Sequence, residues 1–209
     1  SWTAPDDNGS AIISYTVTAD PVGSEPPCTV VAPFPDSLSC SVGGLANGTA
    51  YTFTVTATND EGESDAATSG SVIPVAKPDP PVITTTVVGD EGVTVSWTAP
   101  DDNGSAIILY TVTATPVGSS TVTSTCTVEP PFPASLSCPV VGLENGTAYN
   151  FTVVATNAVD PSDPATSGPV IPIAKPDVPP SVQASPENEG AVVSWTAPDD
   201  NGSAIILYT

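Results

Sequence analysis

Hydrophobic and polar residues alternate in short runs along this chain. Val93, Val95 and Trp97 are interleaved with Thr94 and Ser96. Ile108, Tyr110, Val112 and Ala114 form a second run. Tyr149, Phe151, Val153 and Ala155 form a third, interleaved with Asn150, Thr152 and Thr156, and the same frame recurs at Tyr51, Phe53, Val55 and Ala57. Successive side chains of a strand point to opposite faces, so a period of two predicts strands with one buried face. Turn signals separate the runs: Pro100-Asp101-Asp102-Asn103-Gly104, Glu144-Asn145-Gly146 and Asn157-Ala158-Val159-Asp160-Pro161. No segment sustains a helical period, and 25 Pro with 16 Gly leave little room for long helices. The pattern predicts an all-β chain.

The runs belong to a larger period. The segment SWTAPDDNGSAI begins at Ser1, Ser96 and Ser194, and Trp2, Trp97 and Trp195 are separated by 95 and then 98 residues. The three additional residues can be located. Leu45 to Trp97 and Leu143 to Trp195 both span 52 residues, whereas Tyr15 to Cys28 spans 13 and Tyr110 to Cys126 spans 16. The insertion therefore falls within a Pro/Gly/Ser-rich stretch, DPVGSEPPC against TPVGSSTVTSTC, as expected of a surface loop. Three units follow: residues 1–76, 77–174 and 175–209. The short linkers AKPDPP and AKPDVPP favour extended, semi-rigid geometry.

Short strands, turns at regular spacing and a repeat near 95 residues point to sandwiches of two antiparallel sheets. The Trp on the second strand, Leu45 and Leu143, the Tyr six residues later, and the closing Thr58-Asn59 and Thr156-Asn157 resemble tandem fibronectin type III repeats, an immunoglobulin-like architecture. The run NGTAY-x-FTV-x-ATN looks most like bacterial repeats of secreted and surface proteins. The resemblance covers the whole chain. It implies that Trp2, Trp97 and Trp195 fill the centres of their sandwiches, and that Tyr51 and Tyr149 form tyrosine corners. On this register residues 1–76 lack a first strand, residues 77–174 are complete, and residues 175–209 stop within a third strand. A portion of a longer repetitive array is expected.

Charge narrows the partners. There are 23 acidic residues, two lysines (Lys77 and Lys175) and no Arg, His or Met, for a net charge of −21. Such a chain repels nucleic-acid phosphates and anionic membrane surfaces. No run of 18 apolar residues would span a bilayer. Without His, neither a Ser–His–Asp nor a Cys–His arrangement can be assembled here, nor an imidazole zinc site. An active site duplicated in every repeat would also be unusual, so no enzyme is expected within these residues.

The four cysteines allow three connectivities. Their equal spacing of 12 in each repeat favours Cys28–Cys40 and Cys126–Cys138. Each bridge would close a small loop worth roughly 3 kcal/mol and implies an oxidising compartment. The Asp-Asp-Asn-Gly loops at residues 6–9, 101–104 and 199–202 are the most suggestive polar feature. In a fibronectin-like sandwich they share a pole with Asp160 and Asp163, and the linker Asp79 enters there. Asp101, Asp102, Asp79 and Asp160 are thus candidate ligands for calcium, the one cofactor considered. The alternative is that Asp and Asn serve turn geometry. Lys77 and Lys175, both in AKPD linkers, are expected to neutralise these junctions. The N-x-[ST] sequons follow turn chemistry or lie mid-strand, and no glycan is expected there.

These features point to a non-catalytic segment of a secreted, extracellular or cell-surface protein. Its role would be a rod-like spacer, stalk or filament building block. Its partners would be neighbouring repeats of the same protein, in the limit a homopolymer. The alternatives are an accessory domain of a secreted polysaccharide-degrading enzyme and an adhesin that binds ligands through its loops. Near-identical loops in every repeat suit weak multivalent contact better than one specific site.

Overall fold

The computed structural model describes all 209 residues, Ser1–Thr209. It contains strands and no helix. The chain divides into two compact units, Ser1–Ala76 with Asp102–Ser105, and Lys77–Asp101 with Ala106–Thr209.

In the first unit, β1 (Ser14–Asp20), β2 (Cys28–Val31), β3 (Thr52–Asn59) and β4 (Gly62–Glu63) form a sheet in the order β2-β1-β3-β4, and β5 (Ala67–Thr68) also pairs with β3. All neighbours are antiparallel, with Tyr15 opposite Ala57 and Val17 opposite Val55. The layer facing this sheet is thin, its one ladder contact being an isolated bridge between Trp2 and Leu38. Tyr15, Val17, Leu38 and Tyr51 are buried. Phe53, Val55 and Ala57 nevertheless remain only half-buried, because no complete second sheet covers the inner face of β3.

The second unit holds a complete sandwich. One sheet has the order β10-β7-β6, from β6 (Val82–Gly89), β7 (Gly92–Thr98) and β10 (Leu136–Val141). The other has the order β12-β11-β8-β9, from β8 (Leu109–Pro116), β9 (Ser124–Val128), β11 (Tyr149–Thr156) and β12 (Ala165–Thr166). Alternation decides which side chains meet between the sheets. Val93, Val95 and Trp97 come from β7, and Cys138 and Val140 from β10. Facing them are Tyr110, Val112 and Ala114 from β8, with Tyr149, Phe151, Val153 and Ala155 from β11. Each fully buried large apolar side chain of this kind stabilises the fold by about 1.5–3 kcal/mol relative to exposure. The Tyr110 ring lies 5.4 Å from Trp97 and 5.2 Å, edge-on, from Phe132. The first unit repeats this trio with Trp2, Tyr15 and Phe34. Burial also pushes the Tyr110 phenol above its ordinary pKa. The stretch in which the repeats differ in length, residues 117–123, is an exposed connection between β8 and β9.

Residues 175–209 contribute β13 (Val182–Glu187) and β14 (Gly190–Trp195), which pair only with each other. Trp195 is 45% exposed, against 3% for Trp97. Residues 175–209 supply a single hairpin here, and no second sheet stands over the indole. Tyr208 still stands 5.4 Å from it, the same aromatic pairing as in the other copies.

Candidate functional site

The polar feature shared by all three copies is the Asp-Asp-Asn-Gly loop, and its own side chains build it. The Asp6 carboxylate accepts from the Asn8 amide and Asp7 from the Gly9 amide, both at 2.8 Å. Asp199 and Asp200 repeat the pair with Asn201 and Gly202 at 2.9 Å. Asp102 accepts from Gly104, also at 2.9 Å. Asp and Asn favour such turns because their short side chains bond the backbone two residues on. The Asn φ values are 51°, 52° and 50°, and the Gly φ values 87°, 81° and 79°. One loop conformation thus occurs three times.

In the second unit the loop at residues 199–202 is held against the linker and the preceding turn. The Ala174 amide donates to the Asn201 carbonyl at 3.1 Å, and the Asp177 amide to the Asp199 carbonyl at 3.0 Å. The Asn201 side chain donates from Nδ2 to the Lys175 carbonyl at 3.0 Å and to Asp177 Oδ1 at 3.2 Å. The Gly146 amide donates to the Pro172 carbonyl at 3.0 Å, fixing the Asn-Gly turn beside the tail. Gly202 rests on that turn so closely that a Cβ there would stand 2.8 Å from Gly146 N and Cα.

The first unit has the same arrangement. Gly48 donates to the Pro74 carbonyl at 2.9 Å and Ala76 to the Asn103 carbonyl at 3.1 Å. A Cβ on Gly104 would meet Gly48 N at 2.6 Å. Sequence reasoning placed these glycines in turns but missed the contact of Gly48 with Gly104 and of Gly146 with Gly202. The available signal was the return of Asn-Gly at two fixed places in each repeat, but turn chemistry alone accounts for both.

The candidate calcium ligands are placed as follows. Asp79 and Asp101 are joined through backbone, the Asp79 amide donating to the Asp101 carbonyl at 3.0 Å. Asp102 caps its own loop. Asp160 closes a turn in which its amide donates to Asn157 Oδ1 at 3.1 Å. No group of three or more Asp, Glu, Cys or His side chains stands together as a metal-holding set. Thermal unfolding in excess calcium and in chelator tests for a bound ion: a difference under about 1 °C would leave these carboxylates without one, since a ligand present well above its Kd for the folded state raises the midpoint. A larger rise with calcium would assign these carboxylates to a metal.

Other candidate residues serve the scaffold. Tyr51 accepts from the Ala46 amide at 2.9 Å and Tyr149 from the Glu144 amide at 3.1 Å, so both phenols tie back to backbone as tyrosine corners do. Cys28–Cys40 and Cys126–Cys138 are bonded. Lys77 Nζ meets Asp163 Oδ1 at 2.8 Å within the second unit, at a site where both side chains are substantially exposed. Such a pair contributes under about 1 kcal/mol.

Two facing antiparallel sheets, a central Trp, a tyrosine corner and a repeat of this length define a tandem immunoglobulin-like sandwich module. The model of the fibronectin type III domain matches residues 1–72 and 78–168, and the chain belongs to that family. It is 30% identical over 223 residues to fibronectin type-III domain-containing protein 3A of Mus musculus, which covers 98% of this chain and 17% of that protein. It is 34% identical over 125 residues to receptor-type tyrosine-protein phosphatase eta of Gallus gallus, 59% of this chain and 8% of that one. The chain therefore spans less than a fifth of either relative's length. Among solved structures it is similar to chicken CNTN1 FN1-FN3 domains, at 19% identity and a TM-score of 0.42, covering 93% of this chain and 69% of that one.

Proposed function

We propose that the chain is a non-catalytic structural segment of an extracellular or cell-surface protein, in which tandem sandwiches act as a spacer, stalk or filament building block. The observation that carries this reading is the threefold return of one loop conformation, in a segment almost unchanged in sequence. In two of the three copies that loop is bonded to the linker of the array itself. What the repeats hold in common therefore serves their succession. Two disulfides favour an oxidising compartment, and membership of the fibronectin type III family fits a structural or adhesion-type module. The partners in this reading are neighbouring repeats, and the filament form is a homopolymer. The acidity would then demand salt or counter-ions where copies meet.

Electron microscopy of the natively isolated protein tests it. Long fibres with an axial repeat of one or two domains would establish the filament form. A beaded tail on a globular head would establish the spacer form. Compact particles with the repeats folded around a catalytic body would refute both, and would favour an accessory module of an enzyme.

A further inference from the structure

We propose that the Asp-Asp-Asn-Gly loop is a preformed self-recognition element, whose glycine seats the backbone of the Asn-Gly turn of an adjoining repeat. This concerns how successive repeats engage one another, and it does not depend on whether the array is a spacer or a filament.

Three observations carry it. The loop has the same shape where nothing stands against its glycine: Gly9 has φ 87° with nothing within 4 Å of its Cβ position, whereas Gly104 and Gly202, at 81° and 79°, lie against another glycine. Its own carboxylates hold the conformation, so little ordering is left for the contact to supply. The contact is also too close for any side chain. Built on Gly202, a Cβ falls 2.8 Å from Gly146 N and Cα and 3.1 Å from the Pro172 carbonyl. Those are main-chain atoms pinned by their own hydrogen bond, so they cannot swing aside.

The third observation is that the partner has a fixed form. It is an Asn-Gly turn whose glycine amide bonds a proline carbonyl further along the repeat, Gly48 to Pro74 and Gly146 to Pro172, with an alanine two residues after the proline. That alanine amide donates to the loop's Asn carbonyl in both instances. The seat is asymmetric. A Cβ on Gly146 would lie 3.6 Å from Gly202, an ordinary contact, so the loop glycine is the one without room.

Amide hydrogen exchange on the full chain tests the seat, with Gly9→Ala, Gly146→Ala and Gly202→Ala compared. All three positions have φ between 79° and 87°, so alanine suffers similar local strain at each. The Ala174 amide reports the joint and the Tyr149 amide, bonded to the Val170 carbonyl, reports the sandwich. Gly202→Ala is expected to speed exchange at Ala174 by about tenfold or more with Tyr149 still protected, while the other two variants change Ala174 by less than about threefold. The proposal is overturned if Gly202→Ala leaves Ala174 protected, if Gly146→Ala opens it as much, or if Tyr149 loses protection together with Ala174. Electron microscopy of the parent protein can succeed or fail independently of this result.

Discussion

Trp97→Ala is expected to lower the stability of the second unit by about 3–5 kcal/mol, whereas Trp195→Ala lowers it by less than about 1 kcal/mol. The two residues share a repeat position and the same flanking sequence, so intrinsic propensity cancels between them. What differs is cover. Trp97 stands on β7 between Ile83 of β6 and Leu136 of β10, with the Tyr110 ring 5.4 Å away, and is 3% exposed. Its removal would leave a large cavity that close-packed neighbours fill only in part. The indole Nε1 of Trp97 is buried as well, so the whole side chain is part of the packed interior. Trp195 is 45% exposed and packs only on its own hairpin and the Tyr208 ring. Urea unfolding followed by tryptophan-independent circular dichroism would read both, with the midpoint moving and the slope preserved. Equal losses for the two variants would contradict the assignment of the core.

Reducing Cys126–Cys138, or replacing both cysteines with alanine, is expected to cost roughly 3 kcal/mol, from the closed loop of 12-residue separation. For a domain of this size that is a fall in Tm of about 15 °C. The bond joins β9 of one sheet to β10 of the other, so it restrains the separation of the two layers as well as the ends of a loop. Cys138 is 2% exposed and belongs to the core, which makes alanine a better replacement than serine: a buried hydroxyl would add a desolvation cost of its own. Calorimetry with and without reductant, on the native chain and on the double variant, separates the terms. The reductant should lower Tm strongly in the native chain. In the variant a smaller fall should remain, owing to Cys28–Cys40 alone. A native chain whose Tm is indifferent to reductant would contradict the assigned role.

The second unit was legible in the sequence where one strand's own period decides burial. Tyr149, Phe151, Val153 and Ala155 are all buried on β11, as their alternation indicates, and the location of the inserted residues in a surface connection followed from counting alone. Period-two reasoning weakens where the opposite layer is missing. Phe53 and Val55 carry the same pattern as Phe151 and Val153 yet stay half-buried, and Trp195 is open, because burial belongs to a pair of sheets and alternation describes only one. Two-residue strands such as β4, β5 and β12 left no pattern to read, since the longer strand beside them determines their pairing. The run beginning at Ile108 starts one residue before β8 and Ile108 itself is exposed, as strand ends follow ladder hydrogen bonds more than hydropathy. The glycine contacts were hidden for another reason. A positive φ already requires glycine in those turns, so a second, steric requirement adds no further mark to the sequence.

The confinement of length variation to the connection between β8 and β9 also bears on how such a gene can change. Leu45 to Trp97 and Leu143 to Trp195 are both 52 residues apart, and SWTAPDDNGSAI recurs in each copy. Misaligned recombination anywhere within that shared segment yields a hybrid repeat with the same linker spacing and the same loop. Copies can then be gained or lost as whole modules, each crossover leaving an in-register sandwich, and total length becomes a heritable variable that selection can adjust without revisiting the fold.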